Sequence, residues 1–220
     1  IPQNFNNRFN GPIRFRIALA SSLNVPAVYL LNQLGMETYL EKLRELHFES
    51  LENQTPGLGL ALGNAEVSLF ELVNAFSVFP KNGYYVPNNF LQNIDIETDV
   101  KLKATQVFSY DTSALICDIL SDENSRALGF GYSEVFKPGF EAIFKTGTAN
   151  QYQNITALGA TPLYTVGVWM GNFDGETVLG KTGSSIPAAI CKEILMYLQG
   201  TENAKFVAES KAAGFVNLKG

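Results

Sequence analysis

The sequence is poor in the residues on which most metal and nucleophilic chemistry depends. It has two cysteines and one histidine among 220 residues, too few for a disulfide framework or for a zinc site built from these ligands. A Ser-His-Asp or Cys-His arrangement would depend on His47 alone, and no Asp or Cys pattern points to it. We therefore interpret His47 as a structural residue near a helix end, and Cys117 and Cys191 as buried, inert thiols on apolar helices.

Clusters of basic residues and long apolar runs are also absent. Sixteen Lys and Arg against 21 Asp and Glu give a net charge of −5 without a basic patch, which argues against a nucleic-acid-binding protein. No apolar run reaches the ~18 residues of a membrane span, and the start, Ile1 to Asn4, is neither an initiator sequence nor a signal peptide. The hydrophobic content of 46% is typical of a globular chain, which we expect to be part of a longer protein.

The first 120 residues have mainly helical periodicity, with apolar residues recurring every three or four positions. Ser68 followed by Glu71 is a capping box, which predicts a helix through about Phe79. A weaker alternation at 91–100 predicts a strand pair, and residues 111–120 return to helical spacing.

The second half changes to the period of two that is typical of strands. Residues 142–148, 155–160 and 164–171 alternate in this way, and a last helix is predicted from Ser185 to about Gln199. Helices followed by consecutive strands with short connections predict an α+β fold, with an antiparallel sheet flanked by helices.

Two segments contain Lys-Thr-Gly followed by a hydroxyl residue, at 145–148 and at 181–184. The first continues a predicted strand. A strand that carries a cation, hydroxyls and a glycine suits the recognition of an extended peptide by strand addition. An exposed edge strand protected by a lysine has the same pattern, so both interpretations of Lys145 stay open on spacing alone.

The second segment also fits a nucleotide-binding pattern. Residues 175–182 read Gly-x-x-x-x-Gly-Lys-Thr between a predicted strand and a predicted helix. In a phosphate-binding loop the Lys-Thr pair opens the helix, but Gly183 follows directly here and Pro187 would then fall inside that helix. Too few residues remain for a parallel sheet with a magnesium-binding Asp. We therefore reject a P-loop NTPase and place Lys181 in a loop.

A Ser-x-Asn pattern lies between two predicted helices, at Ser22 and Asn24. Alone it would be interpreted as a helix cap. Together with Lys-Thr-Gly downstream it matches two of the three motifs of penicillin-recognising serine acyltransferases. The chain resembles the transpeptidase domain of class A penicillin-binding proteins, and within that family it is most similar to the 1C branch. The resemblance is carried by residues 18–28, 60–68, 144–149 and 164–172.

The resemblance implies a role for each motif residue. Ser22 would transfer a proton between the nucleophile and the leaving amine, Asn24 would hold the amide of the donor peptide, and Lys145 would keep the site positive and orient Ser22. The Thr148 backbone N–H would form part of the oxyanion hole. The substrate carboxylate, which β-lactams mimic, would be bound by the rest of the motif, Thr146, Gly147 and Thr148. Neither a cofactor nor a metal is implied.

One family motif is missing from the sequence. The family nucleophile lies in Ser-x-x-Lys ahead of Ser-x-Asn, and no Ser in the 220 residues has a Lys three positions later. The resemblance therefore implies that residues 1–205 are a partial transpeptidase domain, and that residues 206–220 are a C-terminal tail or the start of a following segment. We also expect that the first two strands of the family's five-stranded sheet, the glycosyltransferase domain and the N-terminal membrane anchor lie outside the chain.

The function implied is that of a peptidoglycan DD-transpeptidase, which cross-links stem peptides through an acyl-serine and is acylated by β-lactams. Stem peptides and β-lactams are the expected partners, nucleic acid is not, and the expected location is extracytoplasmic, in the periplasm or on the outer face of the inner membrane. Because the nucleophile is missing, we expect this chain alone to be inactive. The alternative is a transpeptidase-like module that binds peptides without catalysis.

Overall fold

The computed structural model describes residues 3–4, 9–88, 90, 103–149, 153–178, 185–200 and 206. Up to Ser121 the chain is mainly helical, as its periodicity predicts, and a further helix at Glu123–Phe130 was not predicted. The helices here are α1 Phe15–Ala20, α2 Asn24–Leu34, α3 Met36–Glu45, α4 Leu69–Phe76, α5 Tyr110–Ser121 and α6 Glu123–Phe130, with 3-10 turns at Glu49–Leu51, Leu58–Leu62 and Glu134–Phe136.

The capping box predicted for α4 is present. Ser68 Oγ accepts a hydrogen bond from the Glu71 N–H at 3.1 Å, and the Glu71 carboxylate accepts one from the Ser68 N–H at 2.9 Å. The same carboxylate accepts a bond from the Ser50 N–H at 2.9 Å and so joins α4 to the 3-10 turn at Glu49–Leu51. The helix ends at Phe76 and is followed by turns that include Phe79, the predicted end.

Two short strands precede α5. They are β1, Tyr84–Tyr85, and β2, Thr105–Gln106, which pair antiparallel. The strand pair predicted at 91–100 lies outside the described residues.

The predicted antiparallel sheet is confirmed. Its strands are β3, Ile143–Thr148, β4, Asn154–Ala160, and β5, Thr165–Gly171, in the order β3-β4-β5. Lys145 is opposite Leu158 in the β3–β4 register. Among the described residues β3 pairs only with β4, so its other edge is open.

The sheet is covered on both faces by helices, which makes the fold α+β in three layers. The last helix, α7, Ser185–Gln199, begins where the sequence predicts and covers one face. There Phe144 and Ala157 pack against Cys191 and Leu195 of α7. The close approach depends on Gly159, where a Cβ atom would lie 2.7 Å from the Cys191 sulfur.

The opposite face of the sheet packs against α4 and α5. The buried residues of this second core come from both layers, namely Phe76, Cys117, Leu120, Ile143, Ala160 and Phe206. Cys117 and Cys191 are both buried and free, as predicted, and burial raises the pKa of each thiol to about 12. Phe206, just past the predicted domain boundary, also donates its N–H to the Glu141 carboxylate at 3.2 Å; the boundary itself stays a prediction.

Neither a membrane span nor a metal centre is found in the ranges described. No helix there is long and apolar enough to cross a bilayer, and nowhere in them do three or more His, Cys, Asp or Glu side chains come together as metal ligands.

Candidate active site

The turn between α1 and α2 presents Ser22 in a conformation that few residues adopt. Ser22 has a φ of 54°, in the left-handed region that costs an L-residue roughly 1–2 kcal/mol. The turn is closed by two backbone bonds, from the Ser22 N–H to the Leu19 carbonyl at 3.1 Å and from the Leu23 N–H to the Ala18 carbonyl at 2.9 Å. Strain of this kind in a polar residue is often retained at functional sites.

Helix α6 holds this turn from the side. Ser21 Oγ donates to the Ser125 carbonyl at 2.9 Å, and both residues are buried. Gly129 lies one helical turn further, and a Cβ atom there would be 2.4 Å from the Ser21 carbonyl oxygen. The backbones of α6 and the turn can therefore approach this closely only because residue 129 is glycine.

Lys145 reaches the turn from β3, although it is 123 residues away in sequence. Its Nζ donates to Ser22 Oγ and, at 3.0 Å, to the Thr146 carbonyl. This contact agrees with the prediction that Lys145 and Ser22 lie together. The other candidate lysine, Lys181, lies outside the described residues.

The surroundings of Lys145 make its ammonium form less stable than that of an ordinary lysine. Burial, and to a smaller extent the charge of Arg126, lower the pKa of Lys145 to about 8. The neutral amine is then more accessible at pH 7 than in an ordinary lysine, whose pKa is near 10.4, although the ammonium form still predominates. The side chain can therefore donate a hydrogen bond and can also exchange a proton near neutral pH.

The open edge of β3 presents backbone groups beside this pair. The Ala149 N–H donates to the Asn154 carbonyl at 3.0 Å, which fixes the alternation of the β3–β4 ladder. In an antiparallel pair every second residue bonds to its partner strand, so Thr146 and Thr148 direct their N–H and C=O groups to the open edge. Their side chains lie on the opposite face from Lys145. A ligand that touches all three residues must therefore lie along the edge of β3.

Asn24 begins α2 and contacts the start of the chain. Its Nδ2 donates to the Gln3 carbonyl at 2.9 Å, while Asn4 Oδ1 accepts from the Val25 N–H at 3.1 Å and so caps the helix. The described contacts thus join Ser22, Lys145 and the Thr146 carbonyl, and place Asn24 at the next helix start with its amide bonded to Gln3.

A further residue of this region has no counterpart in the sequence motifs. Arg126 of α6 is 3% exposed, its guanidinium donates to the Leu120 carbonyl, and its Cζ lies 4.7 Å from the centre of the Phe136 ring. No helix was predicted over residues 123–130, so Arg126, followed by Ala127 and Leu128, gave no signal of burial. His47, by contrast, is exposed and stacks on Tyr85 away from Lys145, with ring centres 4.3 Å apart.

An antiparallel sheet between two helical layers, with a serine–lysine contact at its open edge, defines the class of α+β protein to which this chain belongs. The family model described as "Penicillin binding protein transpeptidase domain" matches residues 2–195. The chain belongs to this family and corresponds to the transpeptidase domain of class A penicillin-binding proteins.

Curated relatives agree with this assignment. The chain is 33% identical to penicillin-binding protein 1F of Bacillus subtilis strain 168 over 88% of this chain and 28% of the relative. It is 31% identical to penicillin-binding protein 4 of the same strain over 77% and 28%. It is 30% identical to penicillin-binding protein 1C of Escherichia coli K12 over 84% and 23%. The chain therefore spans about a quarter of the length of these relatives.

Solved structures show the same fold at low sequence identity. Penicillin-binding protein 1A from Haemophilus influenzae superposes with a TM-score of 0.74 at 20% identity, over 93% of this chain and 37% of that one. Penicillin-binding protein A from M. tuberculosis, solved as an imipenem acyl-enzyme complex, gives a TM-score of 0.66 at 15% identity, over 88% and 50%. These likenesses confirm the predicted fold.

Proposed function

We propose that this chain is part of a serine-type D-Ala-D-Ala transpeptidase that cross-links peptidoglycan stem peptides through an acyl-serine and is acylated by β-lactams. The observation that carries the proposal is the contact between Lys145 Nζ and Ser22 Oγ at the open edge of β3. It joins the Ser-x-Asn and Lys-Thr-Gly motifs in a chain that belongs to the transpeptidase family.

In this proposal the Ser22–Lys145 pair handles the proton. A nucleophilic serine attacks the carbonyl of the donor peptide, and its proton passes through Ser22 to the amine that leaves. Lys145 donates to Ser22 Oγ, which orients the hydroxyl, and its charge keeps the site positive for an anionic substrate. The acyl-serine is then attacked by the amine of a second stem peptide, which reverses the same proton transfer.

Substrate binding is proposed to follow the edge of β3. The donor peptide lies along the open strand, with its carboxylate at the motif residues Thr146, Gly147 and Thr148 and its amide at Asn24. The Thr148 N–H points to this edge and is suited to stabilise the oxyanion. Asn24 must exchange its bond to the Gln3 carbonyl for a bond to the substrate.

We propose that the nucleophile belongs to a longer protein and lies outside these 220 residues. The 220 residues contain no Ser-x-x-Lys, and the chain spans about a quarter of its relatives' length. We propose that the longer protein also carries a glycosyltransferase domain and a membrane anchor and works outside the cytoplasm. The chain alone is proposed to be inactive.

The proposal is tested on a longer form of the protein that includes a Ser-x-x-Lys. With labelled penicillin it is expected to form a stoichiometric adduct on that serine, and with stem peptides it is expected to form cross-linked dimers detectable by mass spectrometry. A longer protein without any Ser-x-x-Lys, or one that folds but is not acylated, would contradict the proposal. Either outcome would favour the second candidate, a non-catalytic module that binds peptides at the open edge of β3.

A further inference from the structure

Helix α2 begins without a capping side chain of its own. The residue at its N-cap position is Leu23, whose side chain forms no capping bond. The first four N–H groups of a helix have no partner within it. In α2 these donors belong to Asn24, Val25 and Ala27, because the third helical position is Pro26, which has no N–H. The acceptor for these donors therefore has to come from outside the helix.

Asn4 supplies this acceptor from 21 residues before Val25. Its Oδ1 accepts a hydrogen bond from the Val25 N–H at 3.1 Å, and the residue is buried, with 4% of its surface exposed. The residue before it, Gln3, accepts a bond from Asn24 Nδ2 through its backbone carbonyl at 2.9 Å. Two consecutive residues of one segment therefore bond to the two consecutive residues that begin α2.

The cap affects what the Asn24 side chain can do. The side-chain oxygen of an asparagine readily accepts bonds from N–H groups at a helix start, and Asn24 lies next in sequence to Val25, one of the donors. Here Asn4 takes the Val25 donor, and the Asn24 amide donates to Gln3 instead. Capping from outside the helix thus leaves the Asn24 amide available as a donor two residues from Ser22.

Ser22 is held by a different set of contacts. Lys145 Nζ donates to Ser22 Oγ, and the turn is fixed to α6 by the bond from Ser21 Oγ to a carbonyl of that helix at 2.9 Å. A change at Asn4 therefore acts on Asn24 and leaves these contacts of Ser22 in place.

We propose that Asn4 is a positioning residue for Asn24: by capping α2 from outside the helix, it keeps the Asn24 amide directed at a peptide carbonyl, whose place the Gln3 carbonyl takes here. When a ligand binds, its amide carbonyl replaces that of Gln3, while the bond between Asn4 and Val25 remains. Without this cap, the Asn24 oxygen turns to the Val25 N–H and withdraws the amide from the ligand. The use of this arrangement rests on the proposed function, whereas the position of the Asn24 amide is a property of this chain.

The first test follows the Asn24 side-chain amide by NMR in the 220-residue protein, with its signals assigned from Asn24→Asp. Asn4→Ala is expected to shift these signals and to speed their exchange with water, because the bond to the Gln3 carbonyl is lost. Asn4→Asp retains an acceptor at the helix start and is expected to restore them. Ser109→Ala is the matched control: Ser109 Oγ caps α5 by accepting the Thr112 N–H, also at 3.1 Å, and its loss is expected to leave the Asn24 amide unchanged.

The second test compares two β-lactams as acylating agents of the longer protein with its Ser-x-x-Lys. Benzylpenicillin carries a side-chain amide that Asn24 can bind, and 6-aminopenicillanic acid lacks it. Asn4→Ala is expected to lower the rate constant of acylation by benzylpenicillin about 5–10-fold, the effect of one neutral hydrogen bond, and to leave that of 6-aminopenicillanic acid nearly unchanged. Asn4→Asp is expected to recover the rate with benzylpenicillin.

Folding of each variant is checked by thermal melting, and Asn4→Leu replaces Asn4→Ala if the latter does not fold. An unchanged Asn24 amide in the folded variant would overturn the proposal. An equal loss of rate with both β-lactams would also overturn it, because a general structural defect does not distinguish between them. If the unaltered longer protein is not acylated at all, the proposed function fails, whereas the NMR result still decides whether Asn4 positions Asn24.

Discussion

The environment of Lys145 lowers the stability of the fold at neutral pH, and it also suits the role that we propose for this residue. Its amine is withdrawn from water, has a neighbouring cation and has only neutral hydrogen-bond partners among the described contacts. A folded-state pKa below the unfolded value near 10.4 means that Lys145 destabilises the fold at neutral pH, and this penalty is relieved as the pH rises from about 8 towards 10. Replacing the residue should therefore affect function far more than folding.

We expect Lys145→Ala, in the longer protein with its Ser-x-x-Lys, to lower the rate of β-lactam acylation by at least ~10²-fold. Loss of one preorganised electrostatic group in an acyl-transfer site typically has this effect. Thermal melting is expected to change little. Lys81→Ala is the matched control, because Lys81 also contacts a serine, Ser77 Oγ at 3.2 Å, and also has a pKa lowered by burial. Equal acylation by folded Lys145→Ala and Lys81→Ala proteins would refute the role of Lys145.

At the scale of elements, the contact between α6 and the Ser22 turn decides where the hydroxyl points. We expect Gly129→Ala to destabilise the protein by about 1–3 kcal/mol, because the new methyl group would meet the Ser21 carbonyl oxygen at 2.4 Å and the backbones would have to separate. Helix propensity alone would predict a gain of up to about 1 kcal/mol, so the two effects have opposite signs. Chemical denaturation measures the difference, and Leu128→Ala, at an exposed neighbouring position, is the control. A more stable Gly129→Ala protein would mean that α6 and the Ser22 turn do not pack closely enough at Gly129 to exclude a methyl group.

Helix α4 should make stability depend on pH through Glu71. Its partial burial alone would raise the pKa of Glu71, but hydrogen bonds from Ser50 and Ser68 lower it to about 2. A carboxylate with a folded-state pKa below its unfolded value near 4.3 stabilises the protein above that value, and the stabilisation is lost as the pH falls towards 2. We expect Glu71→Gln to lower the free energy of unfolding by about 1 kcal/mol at pH 7 and by progressively less below pH 4. Urea unfolding at several pH values measures this, with Glu52→Gln as the exposed control; a difference that does not depend on pH would contradict it.

The elements themselves were largely predictable, whereas the contacts between them were not. The capping box at Ser68, the strands of the sheet and the start of α7 follow from local patterns that need no tertiary information. The contact between Lys145 and Ser22 could be predicted only from the motifs of a known family. Arg126 was missed, because α6 was not predicted and the contacts of its guanidinium with the Leu120 carbonyl and the Phe136 ring follow no periodic pattern. The bond between Asn24 and Gln3 was missed for the same kind of reason, since residues 3–4 carry no periodic signal.

At the scale of the whole molecule, the site lies at the junction between the helices and the sheet. Helices α1, α2 and α6 hold Ser22, and the sheet holds Lys145, so the pair lies where two layers meet. Along this junction the open edge of β3 presents the backbone groups of Thr146 and Thr148. In the proposed function, the groups that would bind the substrate are present in this chain, and the Ser-x-x-Lys that would supply the attacking serine is not among its 220 residues.

We therefore expect the 220-residue chain to form no covalent adduct with a labelled penicillin at pH 7. Ser22 does have a lysine partner, but the pKa of Lys145, lowered to about 8, is still above this pH, so the amine is mainly protonated and donates to the hydroxyl rather than accepting its proton. Acylation requires a serine activated by a base, and this arrangement supplies mainly an acid. The test is intact mass after incubation with excess β-lactam, with the longer, Ser-x-x-Lys-containing protein as the positive control and Ser22→Ala to locate any product. A stoichiometric adduct that Ser22→Ala abolishes would show that Ser22 is itself a nucleophile, and an adduct that survives in Ser22→Ala would place the attacking group elsewhere in the chain.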